Sequence, residues 1–449
     1  MPTFTQVVKE RVISNRETPL PPSWIPRRRS ELHANKRNNG AGGIWSAGDS
    51  DVLIARINEY VKSARNMICI SSFLLDESEV VEELIRASHD VRIYIITASE
   101  NILEKEPRRD SEFELERLNE HKRVLNRLAG ITLIRTADSF HSKFIITDPS
   151  SDDAKGMLLT ANITKDALVR NPEIGVELTP QETKDLFKQF TIGFWIESNR
   201  ELLEPGKLSS VRRVQLTNAT PPIVLPCTLQ NLCSIKEALL DIIGEARHEI
   251  WVSIYGIDSD HEVSKKLISA LSRGTKVKIL TRIRGTDKHT KSLISLAQSG
   301  AEIVGHRYLH AKAIVVDAEN GCKSIVMTAN IDKKGLDEGF ETGVILNGSR
   351  AMEVKMILQK WWEEFNYGFS IAAKVGEVIG DVIIPNNGSL KKLTVKEKGE
   401  NNIGEIVAKS IERIDEAADR VLATDGRSVI GNTIYHEEVR RCTVIPSEQ

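Results

Sequence analysis

Two long stretches of this 449-residue chain repeat the same order of elements, and this duplication restricts the fold more than any other feature. In the first stretch, a short apolar run at residues 67–73 precedes a helix-like segment and a second β-branched run at 91–97. The same order returns at 250–256 and 277–281, where Leu267 matches Leu84 at an offset of 183 residues and Thr281 matches Thr97 at 184. Short β-branched runs that alternate with helical segments indicate βαβ units. We therefore predict two related α/β halves, each with a largely parallel, buried sheet.

Each copy continues with four further strand-like runs and closes with an amphipathic aromatic segment. The predicted strands are Ile131–Arg135, Phe144–Thr147, Met157–Thr160 and Gly175–Leu178 in the first copy, and Glu302–Gly305, Ala313–Val316, Ile325–Thr328 and Thr342–Leu346 in the second. The closing segments, Phe187–Asn199 and Met352–Asn366, carry tryptophans at helical spacing, which we interpret as core anchors.

The remaining segments differ in composition from the two copies. We predict a basic N-terminal arm (1–44), a first half (45–204), a linker (205–226), a second half (227–372) and a C-terminal appendage (373–449). The arm, with its prolines and excess of Lys and Arg, is either a leader packed loosely on the body or a contact to a polyanion. In the appendage, the stretch Ile403–Val421 has helical periodicity.

Composition excludes several classes of protein. Hydrophobic residues make up 40% of the chain and charged residues 28%, as in globular proteins. Because 61 Lys and Arg face 63 Asp and Glu, any site for a polyanion must be local. Five cysteines without C-x-x-C spacing argue against a disulfide scaffold or a cysteine zinc site. Neither a signal peptide nor a membrane-spanning run is visible, so we expect a cytoplasmic protein.

A matched set of polar residues recurs at nearly the same spacing in both copies. The sets are His141, Lys143, Asp148, Thr160, Asn162 and Glu173 in the first copy, and His310, Lys312, Asp317, Thr328, Asn330 and Glu341 in the second. His and Lys are two residues apart in both sets, Lys and Asp five, and Asn and Glu eleven. Because positions i and i+2 of a strand share a face, each His and Lys should point toward one cavity.

These sets resemble the signature of the phospholipase D superfamily, His-x-Lys-x4-Asp followed by Gly-Ser-x-Asn and a later Glu. The resemblance covers about residues 45 to 372. Leu159-Thr160 and Met327-Thr328 replace the Gly-Ser of the family pattern. The resemblance implies an α/β fold of two α/β/α sandwich halves related by a pseudo-two-fold axis, with mostly parallel mixed sheets and one active site where the halves meet.

The chemistry of a phosphodiester agrees with these residue types. The two lysines would supply fixed positive charge, and the asparagines, with the threonines behind them, would orient the phosphoryl oxygens. One histidine would attack phosphorus to give a phosphohistidine while the other protonates the leaving oxygen. In the family, the glutamates hold the far imidazole nitrogen. We interpret the two aspartates as structural, and the scheme needs no metal or cofactor.

The substrate is suggested by a local excess of basic residues in the second copy. Between residues 265 and 312, eleven Lys and Arg are opposed by only two acidic residues. They are Lys265, Lys266, Arg273, Lys276, Lys278, Arg282, Arg284, Lys288, Lys291, Arg307 and Lys312. Since phosphate neutralisation dominates affinity for nucleic acid, we predict a nuclease for DNA or RNA. Arg282, Arg284, Lys288 and Lys291 are its predicted contacts, and Lys105, Arg108 and Arg109 a smaller counterpart.

Two other functions remain open on the sequence alone. One is a phospholipid headgroup hydrolase or transferase, and the other is a nucleic-acid-binding protein whose Thr-Ala-Asn loops no longer support turnover. A single chain supplies both histidines, so a monomer suffices for the site, and a homo-oligomer stays open as well. A partner protein that delivers substrate is compatible with either enzyme.

Overall fold

The computed structural model describes residues 7–10, 12–13, 17–27, 40–48, 50–76, 78–98, 112–138, 140–211, 224–229, 232–386, 388–398, 403–409 and 441–444. Three strands come first: β1 (Val7–Glu10), β2 (Val12–Ile13) and β3 (Ser23–Pro26). Much of the predicted arm, linker and appendage lies outside the described residues.

The first half is a nine-stranded sheet with helices against it. Its strands are β4 (Ile44–Ser46), β5 (Met67–Ser71), β6 (Arg92–Ala98), β7 (Leu133–Ala137), β8 (Phe144–Thr147), β9 (Lys155–Leu159), β10 (Ile174–Leu178), β11 (Arg200–Glu204) and β12 (Lys207–Ser210). Its helices are α1 (Val52–Ser63), α2 (Glu79–Ala87), α3 (Glu112–Leu128), α4 (Lys165–Val169) and α5 (Pro180–Ile192). A capping box of Thr179 and Glu182 fixes the start of α5, and a π-helical turn, Gly193–Glu197, extends that helix.

The second half repeats this arrangement. Its strands are β13 (Cys227–Leu229), β14 (Leu232–Cys233), β15 (Glu249–Ile254), β16 (Lys276–Arg282), β17 (Glu302–His306), β18 (Ala313–Ala318), β19 (Gly321–Met327), β20 (Glu341–Asn347) and β21 (Tyr367–Ser370). Its helices are α6 (Ser234–Glu245), α7 (Glu262–Ser272), α8 (Asp287–Gln298) and α9 (Gly348–Glu364). The chain continues in β22 (Gly380–Asn386), β23 (Ser389–Lys398), β24 (Ile403–Lys409) and β25 (Arg441–Val444).

The predicted mixed α/β fold with two related halves is confirmed, but the sheets are less parallel than expected. Among the described strands of each half, only three neighbours run parallel: β5, β6 and β7 in the first, and β15, β16 and β17 in the second. Parallel neighbours need a crossover, which α2, α3, α7 and α8 provide. The later strands of each half, β8 to β10 and β18 to β20, are neighbours in the sheet in chain order and pair antiparallel.

The two halves share a hydrophobic core. Phe140 lies in the loop before β8, and Phe340 lies directly before β20. Their rings are 4.6 Å apart within this core. Trp361 and Trp362 of α9 are buried in the same cluster, and Trp195 packs against it. The interface between the halves is thus built of apolar side chains, which hold their polar sets in a fixed relation.

Segments outside the predicted halves also contribute strands to the sheets. Strand β3, within the predicted arm, pairs with β21 and β22, and its Trp24 is fully buried. Strands β22, β23 and β24 continue that sheet, so the start of Ile403–Val421 is a strand and not a helix. The predicted linker begins with β12, which pairs with β11. Apolar alternation in these segments is short, which explains why we did not predict them as strands of the two sheets.

Among the described residues, no helix has the length and hydrophobicity that crossing a membrane requires.

Candidate active site

Each of the two matched histidines is held by the glutamate of the other half. Nδ1 of His141 lies 2.8 Å from Oε1 of Glu341, and Nδ1 of His310 lies 2.7 Å from Oε1 of Glu173. The backbone also connects the two halves here, since the N–H of His141 donates to the carbonyl of Phe340. The structure therefore brings both polar sets together at the junction of the halves. An Nδ1–H that donates to a carboxylate leaves Nε2 as the reactive nitrogen.

The hydroxyl groups of the two threonines hold these glutamates. Thr160 donates its hydroxyl hydrogen to Oε2 of Glu173, and Thr328 does the same to Glu341. Both hydroxyl oxygens also accept a backbone N–H, from Ile174 at 2.9 Å and from Thr342 at 3.0 Å. The prediction that these hydroxyls orient phosphoryl oxygens is wrong, because each has its only hydrogen committed to a carboxylate.

Lys143 and Lys312 are completely buried side chains at the base of the site. Each ammonium donates to the carbonyl of the histidine two residues earlier, at 2.7 Å for Lys312. Nζ of Lys312 also lies 3.1 Å from Nε2 of His310. Burial is the main reason that the pKa of Lys312 falls to about 8, and the charges of Glu173 and Glu341 oppose the decrease. The predicted arrangement of His and Lys on one face agrees with these contacts.

The two aspartates bind backbone groups at the opposite end of the strands. Asp148 accepts hydrogen bonds from the backbone N–H groups of three consecutive residues, Arg65, Asn66 and Met67, at 2.7 to 2.9 Å. Asp317 accepts from His248 and Glu249 at 2.8 to 3.1 Å. These bonds fix the start of β5 and β15, as expected for residues interpreted as structural.

Asn162 and Asn330 occupy matching loops after β9 and β19 and are partly buried. The Oδ1 atom of each is buried without a hydrogen-bond partner among the described residues. A Cβ placed on Gly256 would lie 3.3 Å from Cγ of Asn330 and 3.6 Å from Nη1 of Arg284. The missing side chain of Gly256 therefore lets the Asn330 amide and the Arg284 guanidinium approach the same place.

The two His–Glu pairs differ in proton affinity. Burial lowers the pKa of both imidazoles. At His141 the charge of Glu341 opposes this decrease. At His310 the charges of Lys312 and Lys143 add to it, so the pKa of His310 falls well below its usual value. Burial raises the pKa of Glu173 to about 7. At Glu341 burial acts in the same direction, but the contact with His141 keeps the pKa of this carboxyl below its usual value. Two similar pairs can thus hold different protonation states.

The walls beside the two histidines differ in charge. In the second half, Tyr255 packs edge-on against His310 at 4.9 Å, with the guanidinium groups of Arg284 and Arg282 at 4.3 and 5.5 Å from its ring centre. In the first half, Phe73 packs against His141 at 5.3 Å. The apolar neighbours of Phe73 are Ala98, Leu74 and Leu118, and Nζ of the buried Lys143 lies 5.9 Å from its ring centre.

The basic segment 265–312 is distributed over several surfaces. Arg282 and Arg284 lie beside Tyr255 at the site, and the charge of Arg282 lowers the pKa of His310. Their contact with nucleic acid stays a prediction. Lys288, by contrast, forms an ion pair with Asp258 at 2.7 Å, and Lys291 is exposed on α8. Lys276 begins β16 at the end opposite Arg282, while Lys278 lies over the Trp251 ring. The expectation of a continuous basic channel is therefore too broad. Lys105, Arg108 and Arg109 lie outside the described residues.

Sequence reasoning missed the crossed pairing of the histidines and the aromatic residue beside each of them. Identical spacing in two repeats does not say whether a glutamate serves its own half or the other. Phe73 and Tyr255 do leave a signal, since each follows the first strand of its βαβ unit.

No group of three or more His, Cys, Asp or Glu side chains arranged to hold a metal ion is found within the part of the chain that the structure describes. The absence of a metal from the reaction stays a prediction.

Comparison with known proteins gives one family. A family model described as the PLD-like domain of cardiolipin synthase matches residues 57–195 and 239–367, which together exceed half of the chain. No curated protein matches the sequence.

Several solved structures have a similar fold. Phosphatidylserine synthase from Haemophilus influenzae shares 10% identity over 78% of this chain and 90% of its own, with a TM-score of 0.50. Polyphosphate kinase from Porphyromonas gingivalis shares 14% identity over 74% of this chain with a TM-score of 0.46, and this chain spans 53% of the kinase. Yeast tyrosyl-DNA phosphodiesterase shares 11% identity over 69% of this chain and 92% of its own, with a TM-score of 0.42.

Proposed function

Because this chain belongs to the phospholipase D superfamily, we propose that it is a metal-independent phosphodiesterase that cleaves DNA or RNA through a phosphohistidine intermediate. The observation that carries the proposal is the exchange of glutamates between the halves, His141 with Glu341 and His310 with Glu173. It equips one site with two oriented imidazoles and two buried lysines.

The reaction proceeds by two displacements at phosphorus. Nε2 of one histidine attacks, a P–N bond forms, and the P–O bond to the leaving group breaks as the second imidazolium gives that oxygen its proton. Water then attacks the phosphohistidine, the second histidine accepts its proton, and the P–N bond breaks. Each glutamate orients its ring throughout and stabilises the imidazolium.

The buried cations suit the charge that develops in these steps. Lys143 and Lys312 are fixed before substrate arrives, so their orientation costs little when charge builds on the phosphoryl oxygens. At an effective dielectric constant of about 20, a charge pair at 4 Å is worth about 4 kcal/mol, which makes two such lysines substantial contributors.

A nucleic-acid substrate is supported by the charged wall of the second half. Arg282 and Arg284 stand beside His310 in a chain whose overall charge is only −2. A chain of consecutive phosphates would place a second negative group against these guanidiniums, which bind phosphate well.

Phospholipid headgroup hydrolysis or transfer is the second candidate. It is favoured by the description of the matching family model and by the shared fold of phosphatidylserine synthase. The same histidine chemistry would serve this substrate, so the two candidates differ in what the wall around the site binds.

The proposal includes a cytoplasmic location, which rests on the sequence alone. It also allows a single chain to form the whole site, since both polar sets come from one polypeptide.

An activity panel in EDTA tests the proposal. Labelled single-stranded DNA, duplex DNA and RNA oligonucleotides are compared with vesicles that contain phosphatidylethanolamine. We expect oligonucleotide cleavage, and we expect His141→Ala or His310→Ala to lower it by at least about 10⁴-fold because each ring has an essential step.

The matched control is His89→Ala, since His89 is exposed after α2 and should not affect activity. Ethanolamine release without oligonucleotide cleavage would establish the second candidate. Cleavage that needs added Mg²⁺ and persists in both histidine variants would exclude the mechanism.

A further inference from the structure

The loop that carries the charged wall leaves the end of β16 and reaches α8. Arg282 is the last residue of β16, and Arg284 follows within the short connection to α8. Ile283 lies between the two arginines and is buried, with its backbone N–H donating to the His306 carbonyl at 3.2 Å. We call residues 282–286 the arginine loop. Its two guanidiniums stand on one side of Ile283 and the hydrophobic core on the other.

Strands from both ends of the chain pack against the back of this loop. Trp24 of β3 lies over Gly305 of β17 and shares a buried apolar cluster with Ile283. Ile383 of β22 pairs with Trp24 and belongs to the same cluster, as does Leu390 of β23. The Trp24 ring is also 5.1 Å from that of Phe369. We call β3, β22 and β23 the terminal platform.

The closest approach between platform and loop is at Gly285. A Cβ placed there would lie 2.5 Å from the backbone carbon and oxygen of Ser389, at the turn between β22 and β23. Because the neighbouring atoms are backbone, they have no rotamer that would make room. Only glycine therefore permits the turn to rest on the loop one residue after Arg284.

We infer that the terminal platform is a positioning element, which holds the arginine loop where Arg282 and Arg284 meet a negative group next to the scissile phosphate. This assignment rests on the proposed function for the identity of that group, a flanking phosphate of nucleic acid. It gives a role to chain segments for which the sequence indicated no chemistry. The residues are positioning residues, since none of them touches the reacting atoms.

The test compares a substrate that has flanking phosphates with one that lacks them. Gly285→Ala should raise KM for a labelled oligonucleotide about ten-fold while hydrolysis of bis(p-nitrophenyl) phosphate keeps its kcat and KM within two-fold. Arg284→Ala should raise the oligonucleotide KM to a similar extent. The double variant should be no worse than either single one, because Gly285 acts through Arg284.

Two further variants keep the result interpretable. Gly244→Ala is the matched control, since a Cβ there would approach only the side-chain end of Lys266, at 3.5 Å. Leu390→Ala removes apolar contacts of the platform without a clash at the loop and should raise the oligonucleotide KM in the same way. This variant replaces Gly285→Ala if the latter does not fold. Equal losses on both substrates, or additive effects in the double variant, would overturn the inference.

Failure of the proposed function is read separately. If the small diester is hydrolysed but no oligonucleotide is, the nuclease proposal fails. Inorganic triphosphate then serves as a competitive inhibitor of small-diester hydrolysis, and its inhibition constant should still rise about ten-fold in Gly285→Ala. An unchanged inhibition constant would overturn the positioning role.

Discussion

The first and second halves carry the same reacting groups but surround them differently. In both, a serine of the first strand donates to the carbonyl of the residue after the histidine: Ser71 to Ser142 and Ser253 to Ala311. The residues that follow these serines diverge. Where the first half has Phe73 and Leu74, the second has Tyr255 and Gly256.

The last residues of the matching strands β6 and β16 also differ, apolar in the first half and charged in the second. Ala98 ends β6 within an apolar cluster, whereas Arg282 ends β16 beside Tyr255. The strands that hold the histidines, lysines and glutamates are thus equivalent, while the described residues beside them differ. The comparison teaches that a duplicated fold can keep the residues of its proposed reaction in matching places while the described residues around them change.

The largest effect should come from the shared groups. Glu173→Gln and Glu341→Gln should each lower kcat by about 10²- to 10⁴-fold, because an amide no longer stabilises the imidazolium of the opposite half. Steady-state kinetics on the preferred substrate measures both. A loss in only one variant would show that the halves are not equivalent in chemistry.

A pH profile tests the role of the buried Lys312 in the second half. The ammonium of Lys312, with a pKa of about 8, is protonated below that pH and loses its charge above it. Since the charge stabilises the phosphoryl oxygens, kcat should fall about ten-fold per pH unit above 8. In Lys312→Arg, whose guanidinium stays charged, the alkaline decrease should disappear even if the plateau is lower. An unchanged alkaline limb would assign it to another group.

The smallest effect should come from the threonines behind the glutamates. Thr160→Val and Thr328→Val each remove a hydroxyl that satisfies a carboxylate and a backbone N–H, so the free energy of unfolding should fall by about 1–3 kcal/mol. A decrease of about ten-fold in kcat should accompany it. Thr→Ser at either position retains the hydroxyl and should restore both values in denaturant unfolding and kinetics. Full activity in the valine variants would contradict the role assigned to these bonds.

Much of the fold follows from local pattern. The predicted runs at 67–73 and 250–256 became β5 and β15, because continuous apolar segments bounded by turns are typical of strands buried on both faces. The sequence did not reveal α8 or the terminal platform. A strand such as β3 is defined by partners that lie more than 300 residues away, and its own four residues carry little periodicity.

The candidate site was predictable in its members but not in its contacts. Duplication identified His141 and His310 with their partners, since spacing is a property of the chain. Which glutamate meets which histidine depends on the packing of the halves. The contact of Thr160 with Glu173 and the ion pair of Lys288 with Asp258 likewise depend on tertiary neighbours. The first contradicts the role predicted for the Thr160 hydroxyl, and the second removes Lys288 from a continuous basic channel.

The central claim is that one site, assembled across the halves, passes a phosphoryl group through a histidine. Rapid quench of the enzyme with phosphorus-labelled substrate, followed by peptide mapping, tests it directly. The account predicts an acid-labile adduct on either His141 or His310, formed and lost at the rate of turnover and absent when the adducted histidine is replaced by alanine. Turnover without any adduct, or an adduct on another residue, would contradict it.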